Sequence, residues 1–407
     1  MYPAFLDLAG RRTLVVGGGP VAARRASGLL DAGAVVEVVA PWLCEDLALL
    51  VADRRVEWHA REYASGDVDG AWFVHTATGD RLVDDAVAAD AEAARVWCVR
   101  ADDASRSAAW TPAVARGADG VVLAVSGGGD PRRARAVRDA VAAALESGTL
   151  PVRRTRRSAS AGVVHLVGGG PGDEELLTVR GRRLLAQADV VVVDRLAPRS
   201  VLSQLAADVE VVDCGKTPGH HQLTQDQINE VLVERARQGL TVVRLKGGDP
   251  FVLGRGGEEA LYCHAAGVPV TVVPGVTSVV SVPAAAGIPV THRGVTTSFA
   301  LVSAHDGISA VVEAAAAHSA STTLVLLMGV RLLRSSAAAL IGAGRPASTP
   351  VAIVERGWTA TQRTTVGTLA DIADLAEARG VESPAVVVVG DVVALRGQLG
   401  PFSPELD

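Results

Sequence analysis

The sequence predicts an α/β protein with parallel sheets, and three observations carry that expectation. Short runs of β-branched and aliphatic residues recur along the chain and alternate with alanine-rich helical stretches. Glycine clusters fall where such runs give way to helices, at 17–19, 168–172 and 247–257. The length of 407 residues, with 49% hydrophobic and 21% charged residues, describes a globular chain of two to three domains with ample buried cores.

Thr13–Val16 is the first expected strand. Gly17-Gly18-Gly19-Pro20-Val21-Ala22 opens a helix that runs to Ala32 and stops at Gly33, and Val35–Ala40 is the next strand. The G-x-G-x-x-A turn between strand and helix matches the dinucleotide fingerprint in the context it requires, although any α/β unit can carry a tight turn. Gly17 and Gly19 leave backbone amides at a helix N-terminus open to a pyrophosphate. Glu37 lies at the distance of a ribose-binding acid but in mid-strand, where it reads as a solvent-facing residue. No Arg or Lys follows that strand end before Arg54. A 2′-phosphate calls for such a cation, so NAD is expected rather than NADP.

Ala71–Thr76 reads as a strand, Asp80–Ala94 as a helix, and Val96–Val99 as a strand leading into Arg100-Ala101-Asp102-Asp103. Doubly wound sheets place their chemistry at such strand ends. Spacing alone lets Asp102 or Asp103 be a cap or turn residue as readily as an acid–base group. Val121–Val125 is a strand into Ser126-Gly127-Gly128-Gly129, followed by a helix over Arg132–Leu145. Residues 147–162 have linker composition with Arg153, Arg154, Arg156 and Arg157 clustered. They form either a solvated linker or a basic bridge that steers a polyanion.

Val163–Val167 restarts a strand before Gly168-Gly169-Gly170-Pro171-Gly172-Asp173. This is no second dinucleotide fingerprint, because Asp173 stands at the third glycine's place and would repel a pyrophosphate; it suits the N-cap of a helix from Glu174. The strand Asp189–Val193 ends in Asp194-Arg195-Leu196, and Val209–Val212 ends near Gly215-Lys216. If these strands are parallel, Asp194 and Lys216 face one cleft. A cap or an ion pair with Arg195 is the plainer reading of Asp194, and a surface position that of Lys216. His220 and His221 have no third ligand spaced nearby, so no metal site is expected.

The stretch Arg244–Glu259, R-L-K-G-G-D-P-F-V-L-G-R-G-G-E-E, follows the buried run Thr241–Val243. Five glycines and an Asp-Pro within eleven residues look costly in conformational entropy for a mere connector, which favours a binding loop at a strand end. Glu258 and Glu259 then open a helix at its positive end. Val270–Val273, Phe299–Ser303, Leu324–Leu327, Val351–Val354 and Ala385–Val389 are the remaining strands. Their alternation with helices implies two α/β lobes in this half, divided near residue 290.

Arg244–Glu259 resembles the central motif of uroporphyrinogen-III C-methyltransferases, which bind S-adenosylmethionine (SAM). Gly168–Asp173 with Leu176-Leu177-Thr178 is similar to the opening signature of tetrapyrrole methyltransferases, and Gly287–Arg293 (G-I-P-V-T-H-R) to a further one. Together with its first 130 residues, the chain resembles the siroheme synthase family, in which that methyltransferase is fused to precorrin-2 dehydrogenase/sirohydrochlorin ferrochelatase. The resemblance implies a Rossmann-like NAD-binding domain over 1–147, a basic linker over 148–162, and a two-lobed methyltransferase over 163–402. It implies SAM contacts at Pro171, Gly247, Gly248, Asp249, Val252, Thr277, Ser278, Met328 and Gly357, although Met328 alone would read as core packing. NAD contacts are implied at Pro20, Val21, Pro41 and Trp42, beside Gly17 and Gly19. Asp194 and Lys216 match the proton acceptor and donor of the methyltransferase, and Asp102 the acid–base group of the dehydrogenase. Arg293, with Arg195, is a candidate clamp for substrate carboxylates.

The implied substrates are uroporphyrinogen III and precorrin-2, with insertion of ferrous iron left open and a homodimer expected. The chain departs from the family in three places. It has Val99-Arg100-Ala101-Asp102 where Asn-x-x-Asp is common. It has Gly127 in place of a second serine, and little of the usual helical dimerisation region after Leu145. The alternative is a methyltransferase of another corrinoid intermediate carrying a non-catalytic NAD-binding or sensing domain. A net charge of −6 argues against a nucleic-acid partner. Four scattered cysteines, no basic leader and no apolar run of membrane-spanning length point to a soluble cytoplasmic protein.

Overall fold

The computed structural model describes residues 2–117, 120–150, 162–215, 223–305 and 307–403. Lys216, His220, His221 and the four linker arginines lie outside the described residues. Two compact units are present, the first comprising residues 1–116 and 122–138, the second residues 117–121 and 139–407.

In the first unit, β1 (Arg12–Val16), α1 (Pro20–Asp31), β2 (Val35–Val39), α2 (Glu45–Ala52), β3 (Val56–His59), β4 (Phe73–Thr76), α3 (Arg81–Ala93) and β5 (Trp97–Arg100) form a parallel sheet of order β3-β2-β1-β4-β5 with helices on its faces. The central strand β1 carries Leu14, Val15 and Val16 almost fully buried. Val15 packs with Val36, Val38, Ala22 and Ala26, whereas Leu14 and Val16 pack with Val74, Val87 and Ala91. That two-sided burial explains why the run reads as continuously apolar rather than alternating. β6 (Ala113–Arg116) and β7 (Val122–Val125) make a separate antiparallel hairpin, and α4 (Pro131–Ser147) follows, its residues falling in both units. β3 and β6 have no counterpart among the strands expected from sequence.

The second unit begins with β8 (Val163–Gly168), α5 (Val179–Ala186), β9 (Val190–Val193), β10 (Glu210–Asp213), α6 (Gln225–Arg237), β11 (Thr241–Lys246), α7 (Gly256–Ala265) and β12 (Val270–Val273), in a parallel sheet of order β10-β9-β11-β8-β12. α8 (Ser278–Ala285) leads to the second lobe: β13 (Phe299–Ser303), α9 (Ser309–Ala317), β14 (Thr323–Leu327), α10 (Leu333–Gly342), β15 (Pro350–Glu355), β16 (Arg363–Thr368), α11 (Ile372–Ala378) and β17 (Ala385–Val389). This sheet, of order β13-β14-β17-β15-β16, is mixed: β13 and β14 are parallel and the other pairings antiparallel.

Two local expectations are corrected. Asp173 caps only a short 3₁₀ turn, Glu174–Leu176, by accepting from the Glu175 amide at 2.8 Å; the α-helix starts at Val179, capped by Thr178, which accepts from Gly181 at 3.1 Å. β11 does not end at Val243 but continues through Arg244, Leu245 and Lys246, all buried.

Candidate active sites

In the first unit the glycine turn closes against the end of β2. The Gly17 amide donates to Val39 at 3.0 Å and the Cys44 amide to Gly18 at 2.8 Å. A Cβ at Gly18 would lie 1.8 Å from the Trp42 carbonyl oxygen, and one at Gly17 2.3 Å from that of Ala77. Gly19, at the N-cap of α1, faces open space instead, so nothing in the protein itself requires a glycine there. A ligand backed against the helix N-terminus would require one, and the residues present therefore fit a dinucleotide pyrophosphate. Pro20 and Val21 open that helix, while Pro41 and Trp42 are exposed beside the turn. Glu37 is not solvent-facing as expected. Arg12 grips it from Nε and Nη2 at 2.8 and 2.7 Å, His59 lies 3.4 Å away, and the Arg12 contact holds its carboxyl below the usual range.

Asp102 sits just beyond β5 and is clamped by Arg100, whose Nε and Nη2 donate to its two oxygens at 2.9 and 2.7 Å. The Arg100 side chain is buried and also pairs with Asp85, which Arg106 approaches at 2.7 Å. The Arg100 hydrogen bonds lower the Asp102 pKa, so this carboxylate is a weaker base than a free one. Asp103 takes the cap role, accepting from Ser105 N at 2.9 Å.

In the second unit three glycine-bearing turns meet at the C-terminal ends of β8, β11 and β12. Gly170 and Gly248 exchange backbone hydrogen bonds at 3.2 and 2.7 Å. A Cβ at Gly168 would lie 2.5 Å from Gly275 Cα, and one at Gly275 2.2 Å from the Gly248 oxygen. Asp249 ties two of the turns together, accepting from Phe251 N at 2.8 Å and from Gly275 N at 3.0 Å. Thr277 caps α8, and the Ser278 amide lies 3.7 Å from where a Gly248 Cβ would stand. Pro171 lies in the first turn, and Gly247 packs on Leu196. Val252 joins the apolar cluster of Val279, Val282, Val325 and Val354, which links these turns to the second sheet. From that sheet Gly357 backs onto Val282, its Cβ position 2.7 Å from Cγ1. Met328 is not core: it is 44% exposed after β14, with φ +58°. The predicted SAM residues therefore cluster, apart from Met328, for which only its place at a strand end is established.

Asp194 stands at the end of β9, part-exposed at its tip. Its partner is not Arg195, which is exposed, but Arg244, whose Nη2 donates to Oδ1 at 3.0 Å. Arg244 Nε and Lys246 Nζ both donate to Glu259 Oε1 at 3.0 Å, and Lys246 lies 3.9 Å from Asp194. Gln225 adds a bond to the same Glu259 oxygen at 3.2 Å. Burial works against the Arg244 charge, but Asp194 and Glu259 outweigh it and its pKa is raised; burial and then Arg244 lower that of Lys246. Glu259 was expected to serve the helix dipole, yet it is fully buried as the hub of this network. Arg244, Lys246 and Glu259 are the residues that the sequence reading missed. Their signal was the i, i+2 spacing of two cations, which places both on one face of a strand. Arg293 lies in the turn bracketed by the His292–Thr296 bridge and is exposed, as a carboxylate clamp must be.

The tetrapyrrole (corrin/porphyrin) methylase family model matches residues 163–373, and an NAD(P)-binding family model matches residues 4–113. A siroheme synthase of Chromobacterium violaceum is 39% identical, covering 98% of this chain and 96% of that protein. A protein of Methanosarcina barkeri named S-adenosyl-L-methionine-dependent uroporphyrinogen III methyltransferase is 49% identical, covering 60% of this chain and 96% of its own length. The solved structure of a cobalamin biosynthetic enzyme, cobalt precorrin-4 methyltransferase, is 28% identical with a TM-score of 0.51, over 56% of this chain and 95% of that one.

Proposed function

The chain belongs to the siroheme synthase family, and from that premise we propose that it methylates uroporphyrinogen III twice with SAM to give precorrin-2, then oxidises precorrin-2 to sirohydrochlorin with NAD. The observation that carries this reading is the meeting of three glycine-bearing turns beside Asp194, at the ends of parallel strands. SAM brings an already activated methyl group. The chain's own part is to hold that carbon against the macrocycle with the backbones of Gly247, Gly248 and Thr277–Ser278, and to take up a proton at Asp194, with Lys216 as the donor. Arg293 and Arg195 grip the substrate carboxylates. In the first unit Gly17, Gly19, Pro20, Val21, Pro41 and Trp42 hold NAD, and Asp102 faces the macrocycle. On this reading the protein works as a cytoplasmic homodimer without nucleic-acid or membrane partners.

Incubating the purified protein with uroporphyrinogen III and SAM, with and without NAD, tests the reading by absorbance and mass spectrometry. Precorrin-2 is expected without NAD and sirohydrochlorin with it. Methyl transfer to a different corrinoid, with no NAD-dependent step, would favour the alternative substrate instead.

The domains are separable on this reading. A fragment from Ala161 onward is expected to fold and methylate alone, because a unit with its own core can do so, and the Methanosarcina relative has nearly that extent. An insoluble or inactive fragment beside an active full-length chain would count against independent domains.

Iron insertion is expected to be weak or absent. It needs a cleft that grips the whole macrocycle and a base for the pyrrole protons. The alignment with the Chromobacterium protein spans 452 positions against 407 residues here, so that relative carries segments this chain lacks. Arg100 also weakens Asp102 as a base. Misplacement of a reactant by about an ångström can cost a hundredfold. Anaerobic conversion of sirohydrochlorin with ferrous iron should match the uncatalysed rate; an acceleration that disappears in Asp102→Ala would show that the short form still chelates.

A further inference from the structure

Between β15 and β16 the chain makes a seven-residue connection, 356–362. Two of its residues hold left-handed backbone without being glycine, Arg356 at φ +47° and Trp358 at φ +60°. Such conformations persist only where the surroundings over-determine them, and here the surroundings are explicit. The Arg356 amide donates to Pro384 at 2.9 Å, and Arg356 Nε to the Thr361 carbonyl at 3.1 Å. The Trp358 amide donates to Gln362 Oε1 at 2.9 Å, and Thr359 Oγ1 to the Arg356 carbonyl at 2.7 Å.

The connection is thus a stiff strap, and it reaches two other elements. The Trp358 indole Nε1 donates to the Ser281 carbonyl of α8 at 2.7 Å. A Cβ at Gly172 would lie 2.9 Å from Thr359 Cγ2 and 3.2 Å from the Trp358 carbonyl oxygen. The strap therefore touches the helix that begins with Thr277-Ser278 and the turn that carries Pro171.

We propose that Trp358 is a positioning residue for SAM: its indole pins the strap to α8 and so fixes Gly357 against the cofactor. The proposal rests on the reading that Gly357 and the Thr277–Ser278 turn hold SAM. A residue with this role acts on cofactor affinity and leaves the chemical step alone.

The test uses the full chain. Trp358→Phe keeps the ring and loses the indole hydrogen bond, and its SAM affinity by calorimetry should weaken about three- to tenfold. Trp358→Ala also loses the packing and should weaken it further, by about ten- to a hundredfold. KM for SAM should rise in step, with kcat at saturating SAM within about threefold of wild type. NAD-dependent oxidation of supplied precorrin-2 should be unchanged. Trp358 is the last of six tryptophans, the other five lying between residues 42 and 110, so a SAM-induced change in tryptophan emission should be lost in Trp358→Phe. If wild type binds SAM and Trp358→Phe binds within about twofold of it, the proposal is overturned whether or not Trp358→Ala folds. A fall in kcat without a rise in KM overturns it too. A wild-type chain that does not bind SAM overturns the underlying reading, and the proposal with it.

Discussion

Gly248→Val is expected to abolish SAM binding while the chain remains folded. Gly248 has φ +66°, a region that costs an L-residue about 1–2 kcal/mol and is a genuine outlier for a β-branched one. The protein itself leaves room for a side chain there: the nearest atoms to a Cβ would be the Ser278 amide and hydroxyl at 3.7 and 3.8 Å. Valine would thus strain the turn without wedging it apart, and its methyl groups would occupy the cofactor's approach. Calorimetry should show no SAM binding, and the NAD-dependent step should survive. Wild-type SAM affinity in this variant would sink the assignment of the Gly247–Gly248 turn.

Asp194→Ala is expected to lower methyl transfer by about a hundredfold or more, the usual size of a general acid–base contribution, with SAM affinity nearly intact. Arg244 would keep its bonds to Glu259 at 3.0 Å and to the Val192 carbonyl at 3.3 Å, so the network beneath the site should hold. Asp194→Asn separates the two roles of the residue. It can still accept from Arg244 but cannot take a proton, and it should be as slow as the alanine variant. Unchanged turnover in either would leave Asp194 a structural residue only.

Among the strands legible from sequence, the plainest are those buried on both faces. Leu14–Val16, Val190–Val193 and Val386–Val389 are apolar throughout, because sheets covered by helices on either side bury both faces of a strand. The three strands it missed lie at edges or outside the main sheets. β3 buries only Val56, with Glu57 and Trp58 both exposed, β6 belongs to a two-stranded hairpin, and β16 is an edge strand rich in threonine. The site was legible wherever a turn needed glycine, since the requirement is local to the backbone. It was not legible where charges are buried. Arg244 and Lys246 looked like the start of a polar loop, and it takes Glu259, fifteen and thirteen residues on, together with Asp194 from a neighbouring strand end, to make their burial tolerable. The clamp on Asp102 falls between these cases: Arg100 was visible as a departure from the family pattern, but its bidentate grip was not.

The contact between the Gly168, Gly248 and Gly275 backbones limits how this enzyme could diverge. Because even a methyl group at Gly168 or Gly275 would collide with a neighbouring turn, single substitutions cannot reshape that cradle by degrees. On the proposed site assignment, a lineage exploring new macrocycles from this scaffold would have to keep the cradle fixed and vary its rim, at exposed positions such as Arg195 and Arg293. If these turns hold SAM as proposed, retention of the methyl donor alongside drift in the acceptor is written into their packing.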